Sequence, residues 1–216
     1  RPLAAIVGGS KVSTKLALLE NLIAKVDVLV IGGAMANTFL LAQGYDVGKS
    51  ICERGMADTA QNILKAAAGK GCRVLLPVDL IVTEKFAAHS PSRVVPVESI
   101  PPTHTATDIG PESTELIGSA LRECRMIVWN GPVGAFETSP FDASTVQVAR
   151  ILAALTTKGS AQTIAGGGDT VAAITHAGLQ DTFTYLSAAG GAFLEWLEGR
   201  ELPGVAALVN AARKAA

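Results

Sequence analysis

Two hydrophobic patterns alternate along the chain. Short apolar runs occupy residues 3–7, 26–31, 73–79, 125–129, 163–166 and 183–187 and read as strands. Between them, apolar residues recur every three or four positions over 34–43, 54–70, 112–123, 142–158 and 205–214, the spacing of amphipathic helices. A further helix is expected over 11–25 behind Ser10 as N-cap, with Leu16, Leu19, Leu22, Ile23 and Val26 on its buried face. A shorter one begins at Phe193 and breaks near Gly199. Strands that alternate with helices imply parallel pairing, right-handed crossovers and helices on both faces. The expected fold is a three-layer, doubly wound (Rossmann-like) α/β fold with a six-stranded parallel sheet. It is read as one domain over residues 1–216. Pro77 is expected to end the third run or make it irregular. Residues 83–111 are the least regular, with Val94-Val95 and Ser99-Ile100 as candidate small strands.

The strand ends are the next signal. Five of the six strands run into glycine: Gly8-Gly9, Gly32-Gly33, Asn130-Gly131, Gly166-Gly167-Gly168 and Gly190-Gly191. In such sheets ligands bind outside the carboxyl ends of the strands, so these glycines should share one rim. After Gly168, Asp169-Thr170 leads into an apolar helical start, and either residue could cap that helix. Free amides at a helix start favour an anion, commonly phosphate. A carboxylate beside phosphates is where Mg²⁺ would find an oxygen ligand. The plainer reading of the stretch is a tight turn with an N-cap. Lys11 and Lys15, four apart in the expected first turns of the 11–25 helix, sit at the wrong end for cations. They are either two solvated lysines or partners of a bound polyanion. The loop at 130–137 has binding-loop chemistry, with Gly and Pro fixing its path and Asn and Glu at its ends. Asp79 lacks the second Asp of an aspartyl-phosphate site and reads as structural. His89 and His104 have no partner at metal-ligand spacing.

Composition narrows the classes. The chain is 49% hydrophobic, 17% charged and carries a net charge of -1, so no electrostatic footprint for nucleic acid is present. No apolar run is long enough to span a bilayer. The three cysteines fit neither a disulfide framework nor a zinc cluster, which points to a reducing, cytoplasmic setting. A start at Arg1-Pro2, with a strand opening at Leu3, reads as a piece of a longer chain cut at a domain boundary. There is no G-x-x-x-x-G-K-[ST], and no G-x-G-x-x-G followed by an acidic residue about twenty positions on.

Taken together, six stretches resemble phosphoglycerate kinases, specifically the C-terminal, nucleotide-binding half. They are Gly8-Gly9-Ser10-Lys11-Val12-Ser13-Thr14-Lys15, the stretch 32–39, Leu76-Pro77-Val78-Asp79, the stretch 129–137, Gly166-Gly167-Gly168-Asp169-Thr170 and Leu202-Pro203-Gly204-Val205. The resemblance implies reversible phosphoryl transfer between 1,3-bisphosphoglycerate and ADP in glycolysis, with Mg²⁺ as cofactor and ATP or ADP as substrate. It implies that Lys15 holds phosphate oxygens, that Lys11 approaches the group in flight, and that Gly168 belongs with them in catalysis. Gly32 and Gly33 would lie against adenine, Glu137 would accept from ribose hydroxyls, and Asp169 would hold Mg²⁺. Gly167, Gly168 and Thr170 would donate to phosphates, and the match also places Gly9, Leu76, Asn130, Pro132 and Gly166 along the nucleotide. The implied partner is the enzyme's N-terminal, phosphoglycerate-binding domain, absent from these residues, and the expected state is a monomer. Ala34, Ala188 and Ala189 depart from the usual pattern, in which glycine, threonine and glycine stand at those positions. The alternatives are a non-catalytic nucleotide-binding module and an unrelated sugar-phosphate or flavin-binding α/β domain.

Overall fold

A computed structural model describes residues 1–215. Its strands are β1 (Leu3–Val7), β2 (Val28–Ile31), β3 (Arg73–Leu75), β4 (Asp79–Thr83), β5 (Arg93–Pro96), β6 (Thr105–Ile109), β7 (Met126–Asn130), β8 (Gln162–Gly166) and β9 (Tyr185–Ser187). Its α-helices are α1 (Leu16–Leu22), α2 (Ala34–Ala42), α3 (Ala57–Gly69), α4 (Pro111–Arg122), α5 (Ala143–Thr157), α6 (Gly168–His176), α7 (Gly190–Leu197) and α8 (Pro203–Ala215). Six strands form the main sheet in the order β3-β2-β1-β7-β8-β9, with parallel pairing throughout. Numbered within that sheet alone, the order is 3-2-1-4-5-6, the dinucleotide-fold arrangement with its reversal between β1 and β7.

The expected doubly wound fold is what forms, and β1 shows why. Successive side chains of a strand point to opposite faces. Ala4 and Ile6 join a cluster with Ile117 and Leu121 of α4 and Val148 and Leu152 of α5. Ala5 and Val7 join the other, with Leu18 of α1, Phe39 of α2 and Ile63 of α3. Both faces are therefore apolar, which is why the central strands read as unbroken apolar runs.

Three sequence expectations are corrected. The helix expected over 11–25 begins only at Leu16 and ends at Leu22, and Ser10 does not cap it. Val12 is buried, while the Ser13 amide and hydroxyl both donate to Glu53, at 2.9 and 2.6 Å. These anchors hold the segment before Lys15 in turns, so Lys11 lies in a loop and Lys15 at the helix N-cap. The third run divides at Leu76-Pro77-Val78, and β4 leaves the main sheet. It pairs antiparallel with β5 and β6 in a small sheet, β5-β4-β6, not foreseen as such. Val94-Val95 lies in β5, but Ser99-Ile100 is no strand, and Val97–Ser99 forms a 3₁₀ turn. Asp79, read as structural, is a helix anchor. Its carboxylate accepts from the Glu112 and Ser113 amides at 3.1 and 2.7 Å, at the first turn of α4.

Candidate functional site

The strand-end glycines do meet. At the switch point, the chain leaving β1 passes the chain leaving β7 backbone against backbone. A Cβ on Gly8 would stand 1.9 Å from the Pro132 carbonyl oxygen, and one on Gly131 would stand 2.3 Å from that of Gly8. Gly131 also has φ +93°, a conformation side chains disfavour, so glycine is required there twice over. Two bonds fix this crossing. The Trp129 indole N–H donates to the Gly131 carbonyl at 2.7 Å, and the Gly131 amide donates to Thr170 Oγ1 at 2.7 Å.

Asn130, at the end of β7, is the polar hub. It is buried, and its Nδ2 donates to the Gly166 carbonyl at 2.9 Å. Lys15 Nζ donates to its Oδ1. Lys15 thus reaches from the start of α1 to the end of β7. Burial pushes its ammonium below the ordinary lysine range, and the negative charges of Asp169 and Glu198 pull it partly back. Both carboxylates act on this cation through space, and that of Glu198 is itself paired with Arg200 Nε at 3.0 Å.

The helix behind the triple glycine departs from expectation. Neither Asp169 nor Thr170 caps α6; Gly167 occupies the N-cap at φ +99° with no side-chain cap. Thr170 is engaged with Gly131, and Asp169 is exposed. The helices α2 and α7 also start without side-chain caps, behind Gly33 and Ala189. A Cβ on Gly190 would stand 3.4 Å from Gly167 Cα, so the starts of α6 and α7 converge. At α2 the Met35 amide is taken by the Gly9 carbonyl at 2.9 Å; the positive end of each helix dipole still points to the rim.

The structure brings Gly9, Gly33, Lys15, Asn130, Pro132, Gly166, Gly167, Gly168, Asp169 and Thr170 to this rim, with Gly32 packed on Val133 of the same loop. Lys11 is exposed on its loop, and Glu137 is exposed at the far end of the loop after β7. Among the described residues no side-chain hydrogen bond or ion pair ties either to the cluster. Leu76 is half-buried just beyond β3. Two participants were missed: Glu198, which faces Lys15, and Phe193, whose ring fills the space a Gly166 Cβ would need. Glu198 ends an ordinary amphipathic helix, and nothing local in the sequence marks it. Among the described residues no three His, Cys, Asp or Glu side chains gather as a metal site. None of the described helices is long and apolar enough to cross a membrane.

Fold and rim together define a doubly wound α/β protein with a glycine-walled, polar crevice at the topological switch point. The comparisons with known proteins narrow this class. A family model described as phosphoglycerate kinase matches residues 1–200. A phosphoglycerate kinase of Methylorubrum extorquens (strain PA1) is 58% identical over 208 residues, which are 96% of this chain and 52% of that protein. One from Azorhizobium caulinodans is 57% identical with the same coverage. Among solved structures, phosphoglycerate kinase from Coxiella burnetii superposes with a TM-score of 0.92 at 44% identity, over 97% of this chain and 53% of that one. The enzyme from Pyrococcus horikoshii OT3 gives 0.79 at 30% identity. The chain belongs to the phosphoglycerate kinase family. It spans about half the length of the curated relatives it matches.

Proposed function

We propose that this chain is the nucleotide-binding half of a phosphoglycerate kinase, holding ADP or ATP with Mg²⁺ at the switch-point rim. The observation that carries the reading is the convergence of Lys15, Asn130 and the uncapped start of α6 on one glycine-walled crevice. Phosphoryl transfer asks a protein chiefly for positioning and charge stabilisation. In this reading Lys15 and the amides of Gly167, Gly168 and Thr170 hold phosphate oxygens. Lys11, exposed on its loop, meets the transferring group. Gly9, Gly32, Gly33, Leu76, Asn130, Pro132 and Gly166 line the nucleotide, and Glu137 takes the ribose hydroxyls.

The donor set suits Mg²⁺, which usually takes one or two carboxylates and completes its shell with phosphate oxygens and water. Asp169 is an exposed carboxylate close enough to raise the Lys15 ammonium, and it would be the protein's ligand. Bound there, the ion would neutralise phosphate charge.

The complete reaction, from 1,3-bisphosphoglycerate and ADP to 3-phosphoglycerate and ATP, needs a second domain to hold the phosphoglycerate. Every nucleotide contact proposed above lies within these 216 residues, and in this reading the phosphoglycerate is held by the half of the relatives' length that the chain does not span. This chain alone is then a monomeric, cytoplasmic nucleotide-binding module without turnover. Calorimetry with ADP, with and without Mg²⁺, tests the reading on the wild type and Asp169→Ala. The substitution should weaken Mg-ADP binding far more than metal-free ADP binding. An equal loss in both would refute the role of Asp169. A coupled assay with ATP and 3-phosphoglycerate should show no turnover; turnover near that of a complete kinase would refute the division of labour.

A further inference from the structure

The loop that follows β7 is held from beneath by a carboxylate that no part of the proposed chemistry uses. Asp108, near the end of β6, is 3% exposed. Its Oδ1 accepts from the Ile109 amide at 2.9 Å, and its Oδ2 accepts from the Ser144 amide at 2.9 Å, in the first turn of α5. The Ser144 hydroxyl donates to the Ile109 carbonyl at 2.6 Å, closing a clamp between β6 and α5. The loop lies directly on this clamp. A Cβ on Gly134 would stand 2.0 Å from Asp108 Oδ1, so the backbone there is flush with the carboxylate. The loop's other ties leave from the same place. The Gly134 amide donates to Thr145 at 3.2 Å, the Ala135 amide to the Thr107 carbonyl at 2.8 Å, and the Gly33 amide to the Val133 carbonyl at 2.9 Å.

We propose that Asp108 is a positioning residue for the nucleotide: its neutral carboxyl seats residues 131–137 through Gly134 and Ser144, and its ionisation draws water beneath that loop, loosens it and weakens nucleotide binding. The inference rests on the nucleotide reading above. Both amide donors to Asp108 lie off the loop, on Ile109 and Ser144, so what the loop adds is burial; a loosened loop lets water reach the carboxylate, which favours its ionised form.

The group titrates in the right range. Burial pushes its carboxyl up to about 7, against the Ser144 amide and hydroxyl and the Ile109 amide, with the Asp142 charge adding to the rise. The charged groups facing it are few. Asp142, just before α5, pairs with His176 of α6 at 3.0 Å. On the loop, Glu137 is exposed; α2 carries no charged residue, and Ile81 lies beside Asp108 on β4. His176 is the imidazole joined to this network through Asp142, so a variant there separates its contribution from that of Asp108.

Adenosine suits the test because it carries no phosphate to titrate and needs neither Lys15 nor Mg²⁺. Its affinity, with that of ADP, would be measured by calorimetry from pH 8 to pH 6 on this chain and two variants. In the wild type adenosine affinity should fall by about fivefold or more as pH rises from 6 to 8, the low end of typical site coupling. By reciprocity, binding near pH 7 should take up protons, seen as an enthalpy that depends on the buffer's ionisation heat. Asp108→Asn, always neutral, should hold the high affinity at every pH and exchange no proton. His176→Gln should keep both effects. Should Asp108→Asn fail to fold, the Gly134 and Ser144 amide signals of the wild type must still titrate together with the affinity. A flat wild-type profile, a pH step that survives in Asp108→Asn, loss of the step in His176→Gln, or unmoved amides would each overturn the proposal. Absence of any adenosine or ADP binding at pH 6 would instead remove the nucleotide reading, and this inference with it.

Discussion

Replacing Asn130 with alanine should be costly out of proportion to its size. The side chain is 4% exposed and is the partner of the Gly166 carbonyl, which is itself buried. Alanine leaves that acceptor unpaired where water cannot easily follow, worth about 1–3 kcal/mol. The truncation also leaves a small void beneath the crossing of Gly8 and Gly131, worth about 1 kcal/mol more. The lost bond from Lys15 adds less, because its half-exposed ammonium can turn to water. The sum is about 2–4 kcal/mol. At about 2–4 °C per kcal/mol for a chain of this size, Tm should fall by about 4–16 °C. Urea unfolding followed by tryptophan fluorescence reads it well, since Trp129 is fully buried one residue away. ADP affinity should fall too, as Lys15 loses its anchor. A variant within about 0.5 kcal/mol of the wild type at unchanged m would refute the hub assigned to Asn130.

Three further outcomes follow from the same geometry. Lys15→Ala should lower affinity for ADP and ATP much more than for AMP, and in the wild type ADP affinity should begin to fall at a lower pH than an ordinary lysine would dictate, because burial depresses its ammonium; an AMP loss as large as that for ATP would show a structural role instead. Asp108 binds its proton more tightly folded than unfolded, so its contribution to stability is full below about pH 4 and is lost as pH rises through about 7; chemical denaturation from pH 4 to 8 should show this decline, and Asp108→Asn should flatten it. Leu208→Ser on α8 should change stability by less than about 0.5 kcal/mol, because that side chain is 73% exposed; a loss above 2 kcal/mol by urea unfolding would mean that α8 packs more tightly than it is seen to.

Much of this was legible from periodicity and punctuation. The six main strands announce themselves because both faces of the sheet are covered, and the strand-end glycines mark the rim because backbone must pass backbone there. The small sheet was not legible. β6 reads Thr-Ala-Thr-Asp-Ile, with too few apolar positions to signal a strand, and its pairing with β4 depends on a break that Pro77 only hinted at. The late start of α1 was hidden because its cause, Glu53, lies forty residues on. The expected cap on α6 failed for a similar reason: Thr170 is taken by Gly131 from another strand end. Glu198 and Asp108 share that character, since each matters through a partner remote in sequence. Val205, Leu208 and Val209 lie exposed on α8, and periodicity within that helix does not distinguish them from a covered face.

The most direct test of the account is calorimetric titration of the folded chain with ADP in the presence of Mg²⁺, beside flavin mononucleotide and 3-phosphoglycerate. The account predicts saturable binding of Mg-ADP at one site and none of the other two. A folded chain that ignores Mg-ADP, or that prefers the flavin or the phosphoglycerate, would contradict it.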